Sequence, residues 1–78
     1  MPAKPVKNDA ATAVDARGLR CPLPVLRLRK AAISLPLGSV LDVTADDPAA
    51  ERDVPVFCAE RGWVCKRLGD GHWRIVTA

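Results

Sequence analysis

Between Pro22 and Pro36 the apolar residues of this chain recur at helical spacing, and directly after Gly38 they recur at every second position. Val25, Leu28, Ala32 and Leu35 follow one another at steps of three, four and three, with Pro24 and Ala31 beside them, which makes one apolar stripe. Arg27, Lys30 and Ser34 fall on the opposite face. Pro22 and Pro24 are tolerated in a first helical turn, where the amide hydrogens have no intrahelical partner, and Pro36 and Gly38 stop the helix. Residues 39–45 then alternate Leu41, Val43 and Ala45 against Val40, Asp42 and Thr44, as a half-buried strand does. A strand over residues 12–16, with Val14 as its best strand former and Gly18 as the turn after it, precedes the helix. Strand, helix and strand in this order predict a right-handed crossover between parallel strands.

The remainder extends the pattern. A second helix starts at Asp47 and Pro48 or only at Asp53, ahead of Val54 and Pro55, because each offers a capping aspartate followed by an early proline. Val54, Phe57, Cys58 and Arg61 share one face of it, and Gly62 ends it. Residues 63–68 and 72–77 read as strands joined by the turn Gly69, Asp70 and Gly71. The order is βαβαββ, an α+β chain folded as a two-layer α/β sandwich with both helices on one sheet face. Residues 1–11 carry two prolines and two lysines but few large apolar groups, and read as a flexible N-terminal tail. Residues 12–78 form the single domain, whose size implies burial of only about 60% of the unfolded chain's surface.

Apolar residues make up 49% and charged residues 27%, which suits a folded domain and excludes a disordered chain. The longest uncharged run, residues 31–41, is interrupted by Pro36 and Gly38, whereas a membrane helix needs about 20 apolar residues. The N-terminus has no apolar segment of the secretory type, so a cytoplasmic address is expected. Cys21, Cys58 and Cys65 stand 37 and 7 residues apart, a spacing of neither a disulfide framework nor a zinc site. Free thiols are expected, with no metal and no cofactor. The net charge is +3, unevenly spread: Arg17, Arg20, Arg27, Arg29 and Lys30 occur with no acid among them, and Asp42, Asp46, Asp47, Glu51 and Asp53 follow against the single base Arg52. A positive region around Cys21 and a negative one at the start of the second helix are expected.

The chemistry of the chain centres on residues 17–24, RGLRCPLP. A thiol at a helix N-terminus meets free amide hydrogens and a partial positive charge, which stabilise its thiolate. Such placement, or neighbouring arginines, lowers a cysteine pKa from about 8.5 into the range of roughly 3.5 to 7.5. Cys21 has both influences in prospect, from its place before the helix and from Arg17 and Arg20, and Pro22 fixes the approach of the chain. Most free cysteines are inert small hydrophobes, and Cys58 beside Phe57 fits that description as a core residue, as does Cys65 in a strand. His72 reads as a solvated loop-end residue, and Trp63 and Trp73 as sheet residues over a small core. The chain has no glycine-rich nucleotide motif, HExxH, GxSxG or paired carboxylates. It is too small for an enzyme with its own acid, base and pocket, whereas a thiol carrier needs one nucleophile and a docking surface.

At these residues the sequence resembles the TusA (SirA-like) family of sulfur-carrier proteins. The family's D-x-x-G-L-x-C-P-x-P run stands here as Asp15, Gly18, Leu19, Cys21, Pro22 and Pro24, and a second family-like stretch, DDPAAERDVPVFC, spans residues 46–58. The resemblance implies a four-stranded mixed sheet, with Cys21 as the sulfur-bearing catalytic residue and Gly18, Pro22 and Pro24 shaping its site. It implies that Cys21 accepts sulfane sulfur as a persulfide from a donor protein, a cysteine desulfurase or a rhodanese, and relays it to a cysteine of an acceptor protein. Relatives feed tRNA thiolation, molybdenum-cofactor assembly or sulfur oxidation. Arg17, Arg20, Arg27 and Lys30 are the expected partner-binding rim, attracting acidic surfaces. Neither membrane nor direct nucleic-acid contact is implied, and Cys65 and the tail lie outside the signature.

Two other readings follow from the residues. The basic run from Arg17 to Lys30 suits a small RNA-binding or regulatory module, although no aromatics interleave to stack bases. Cys21 paired with Cys58 or Cys65 would suit a redox sensor, which keeps a resolving thiol near the reactive one.

Overall fold

The structure, a computed structural model, describes residues 11–78. Except for Ala11, the tail expected over residues 1–11 lies outside the described residues. Strands β1 (Thr12–Asp15), β2 (Val40–Thr44), β3 (Val64–Gly69) and β4 (His72–Val76) alternate with helices α1 (Leu23–Ile33) and α2 (Ala50–Arg61) in the order β1, α1, β2, α2, β3, β4. The sheet runs β1-β2-β4-β3, with β1 parallel to β2 and both other pairs antiparallel, so it is the mixed sheet expected. Val14 stands opposite Val43 across the parallel pair, and Val43 opposite Trp73 across the next.

The period of the sequence is the period of burial. Leu41 and Val43 of β2 and Ala45 just beyond it are buried, while Val40, Asp42 and Thr44, on the other sheet face, are half-buried. Pro24, Leu28 and Ala32 of α1 meet Val54 and Cys58 of α2 over that sheet, with Trp73 and Ile75 of β4 completing the core. Burial pushes the Cys58 thiol up to about 12, and its neighbouring sulfur is that of Cys65 on β3. Cys58 is thus a core residue, as expected. Leu28, Trp73, Leu41 and Ile75 are fully enclosed, which for a chain of this size concentrates most of the hydrophobic stabilisation in a few side chains.

Several boundaries differ from the sequence reading. α2 starts at Ala50, between the two expected starts, because Asp47 first closes a turn over Pro48 and Ala49: its Oδ1 accepts from Ala49 N at 3.2 Å, and its carbonyl accepts from Ala50 N at 2.9 Å. Asp53 therefore lies inside the first turn and does not cap the helix, and Pro55 is inside it too. Trp63 precedes β3 and packs edge-on against Phe57, with ring centroids 5.6 Å apart, while the Arg61 guanidinium lies over the Phe57 ring. His72 opens β4 directly after the turn and is half-exposed, and its Nε2 lies 2.7 Å from Asp42 Oδ1 on the neighbouring strand. Gly71 closes the β3–β4 hairpin against the β2 end, where Ala45 N donates to its carbonyl at 2.9 Å and a Cβ would collide with the Ala45 carbonyl oxygen.

The contrast between the two leucine-rich faces of α1 gives a direct check. Leu28→Ala is expected to destabilise the chain by about 2–5 kcal/mol in urea unfolding, and Leu26→Ala, at a position 48% exposed, by less than about 0.5 kcal/mol.

Candidate functional site

Cys21 is exposed at the end of the segment joining β1 to α1. The helix itself starts two residues later: Pro22 is its N-cap position, the Cys21–Pro22 peptide is cis, and Pro24 is buried in the first turn. Within the joining segment Leu19 N donates to Ala16 O at 3.3 Å and Leu23 N to Arg20 O at 2.8 Å, so the chain coils tightly on either side of the cysteine. Leu19 packs against the core while Cys21 faces solvent. The segment turns at Gly18, whose φ of +82° is a left-handed conformation that glycine adopts without strain.

The β2–α2 connection holds this segment in place. Gly18 N donates to Asp46 Oδ1 at 2.9 Å, and Cys21 N donates to Asp47 Oδ2 at 2.6 Å. Asp53, one turn into α2, accepts from the Cys21 thiol, with Sγ 3.0 Å from its Oδ2. Asp47 serves both sides of the junction, since its other oxygen accepts from Ala49 N. A carboxylate accepting hydrogen bonds from backbone amides is a strong, charge-assisted anchor. Three aspartates therefore bind one short loop, and the third bears directly on the sulfur.

This arrangement overturns the expectation of a thiol acidified by arginines. The Cys21 pKa is raised above the ordinary thiol value, first by the hydrogen bond to Asp53, then by partial desolvation and by the charges of Asp53 and Asp47, with Arg52 acting in the opposite sense. Asp53 is correspondingly held below the usual carboxylate range by the thiol and by Arg52, whose Nη2 is 3.2 Å from its Oδ1. Arg17 is turned away: its guanidinium makes two bonds to Asp15, at 2.9 and 3.1 Å, and pulls the Asp15 carboxyl down to about 2. Arg27 donates to the Asp15 carbonyl at 3.2 Å. Arg20 lines a shallow groove with Gly18, Asp46, Asp47 and Pro48, so acidic groups face it there. The positive and negative stretches of the sequence are thus neighbours in space, and the acidic one reaches the thiol.

Of the expected site residues, Cys21, Gly18, Pro22 and Pro24 share the loop and first turn described above. Arg27 and Lys30 border a second groove on α1 with Leu19, Leu23 and Leu26. Leu23 and Leu26 are each about half exposed, an apolar presence beside the cysteine that the helical stripe does not account for. Asp46, Asp47 and Asp53 were legible only as helix-start acids. The signal that would have found them is the charge complementarity between the run around Cys21 and the run after Asp42.

An exposed cysteine on a tightly tied loop at the corner of a two-helix, four-stranded sandwich defines a class of thiol-bearing α+β domains. The chain belongs to the family described as sulfurtransferase TusA, whose model matches residues 12–77. It is similar to a protein of Archaeoglobus fulgidus named "Putative sulfur carrier protein", 44% identical over 67 residues that cover 82% of this chain and 87% of that one.

The double use of Asp47 can be tested by removing it. Asp47→Ala is expected to cost about 1–2 kcal/mol in chemical unfolding, through the loss of the turn bond from Ala49 N and of the bond from Cys21 N. It should also speed hydrogen exchange at the Cys21 amide more than at the Leu41 amide.

Proposed function

We propose that this protein is a sulfur carrier that receives sulfane sulfur as a persulfide on Cys21 and relays it to a cysteine of an acceptor protein. The observation that carries the reading is the exposed Cys21 sulfur on its anchored loop, within a chain of the TusA family. A persulfide adds one sulfur beyond Sγ, and an exposed thiol accommodates it without repacking. Cys58 is enclosed in the core and Cys65 half-buried, so neither competes for a protein-sized donor. The chain acts as a carrier and relies on its partners for the rest of the transfer chemistry.

A cysteine desulfurase or a rhodanese is the donor class of this reading, and tRNA thiolation, molybdenum-cofactor assembly or sulfur oxidation the destination of the sulfur, in the cytoplasm. Gly18, Pro22 and Pro24 give the loop its shape. Arg27 and Lys30, with Leu23 and Leu26 beside them, form the docking rim on the α1 side, Arg20 adds to it from the cysteine's own loop, and Arg17 contributes less because Asp15 pairs with it. Apolar side chains ringed by charge are the usual composition of a transient interface.

Loading with a cysteine desulfurase and cysteine, followed by intact-mass measurement, is expected to give a one-sulfur adduct on the wild-type chain and none on Cys21→Ser. An unloaded wild type, or an adduct that persists in Cys21→Ser, contradicts the reading.

A further inference from the structure

The most consequential contact in the molecule is one that a good nucleophile would avoid. A carboxylate within hydrogen-bond distance of a thiol favours its protonated form, and a thiol attacks only as the thiolate. Here that carboxylate is Asp53, at 3.0 Å, with Asp47 bound to the same residue's amide at 2.6 Å. Arg52, the cation nearest to Asp53, is 78% exposed and bound to the Oδ1 edge, leaving Oδ2 to the sulfur. The charged groups acting on the sulfur are Asp53, Asp47 and Arg52, all from the β2–α2 side. Arg20, on the cysteine's own loop, faces Asp46 and Asp47 across the adjoining groove, and Arg17 is committed to Asp15.

We propose that Asp53 selects the partners of Cys21: its carboxylate holds the resting sulfur as a neutral thiol and favours sulfur donors and acceptors that bring a cationic group to it. This role rests on the carrier function above. A lysine or arginine beside the donor's persulfide pairs with Asp53 and frees the thiol. Cys21 Sγ then bonds to the donor's outer sulfur as the donor's S–S bond breaks, and the thiol proton passes to the departing donor sulfur. The donor ends as a thiol and Cys21 as a persulfide; one sulfane sulfur has moved and no external oxidant or reductant is needed. Away from a partner the thiol is guarded against adventitious alkylation and oxidation. The docking surface is therefore two-signed, with basic groups along α1 that suit the acidic partner surfaces expected from the sequence and an acidic corner at the sulfur that suits a cation.

The test uses small reagents of opposite charge, so that it does not depend on any protein donor. Mixed-disulfide formation at Cys21 is timed with cystamine, which is cationic, and with 3,3′-dithiodipropionate, which is anionic, alongside a pH profile of alkylation by neutral iodoacetamide. In the wild type cystamine is expected to react faster at equal concentration. In Asp53→Asn the cystamine preference should shrink by roughly threefold to tenfold, a factor set by one nearby charge at the protein surface. The alkylation midpoint should fall by about one pH unit, so that alkylation at pH 7 speeds up by up to about tenfold. Arg52→Ala, which leaves Asp53 in place, should move both readouts the other way, and half-molar salt should erase the preference. An Asp53→Asn chain with unchanged midpoint and unchanged preference, or a wild type that prefers the anionic reagent, overturns the proposal. A wild type that shows the preference yet takes no sulfur from a desulfurase would instead overturn the carrier function.

Discussion

The hydrogen bonds that the Gly18–Cys21 segment donates to Asp46, Asp47 and Asp53 are the interactions on which the candidate site depends. The segment is short, exposed and free of large buried side chains apart from Leu19, so its own packing is insufficient to give it one conformation. Its amide hydrogens need partners, and the neighbouring connection supplies them as carboxylates. The same two elements that the sheet places side by side, the ends of β1 and β2, bring the two loops together: Asp15 pairs with Thr44 in register, and Ala16 N continues the ladder to Thr44 O at 2.7 Å. The sheet thus determines where the cysteine stands, and the aspartates determine how it is held.

That solution has an electrostatic consequence. Carboxylates that anchor a loop also surround it with negative charge, and the sulfur on this loop is more basic for it. A more basic thiol is less ionised at neutral pH but intrinsically more nucleophilic once ionised.

Much of the fold could be read from the sequence because two periods, 3.6 and 2, change over at prolines and glycines. The stripe through Leu28 and Ala32 and the alternation through Leu41 and Val43 correspond to buried positions, and Gly62 and the Gly69–Gly71 turn fall where elements end. Helix starts were harder. Aspartates at Asp47 and Asp53 both satisfy the local rules for a cap, yet neither caps: Asp47 closes the turn before α2, Asp53 lies inside its first turn, and both are drawn to Cys21. Cys21 itself was legible from its prolines and from the family-like run around it. Its electrostatic surroundings were not, because Arg17 and Arg20 adjoin it in sequence whereas the aspartates that reach it in space lie 26 and 32 residues away. The partner of His72, Asp42, is hidden in the sequence for the same reason, being 30 residues distant.

Control of the Cys21 thiol by Asp53 is tested most directly by an NMR titration of the wild-type chain with its cysteine β-carbons labelled, following Cys21 with buried Cys58 as the internal contrast. The Cys21 midpoint is predicted to lie above the ordinary thiol value of about 8.5, with Cys58 still protonated when Cys21 has ionised. A Cys21 midpoint at or below that value would contradict this, and would remove Asp53 as the group that governs the sulfur.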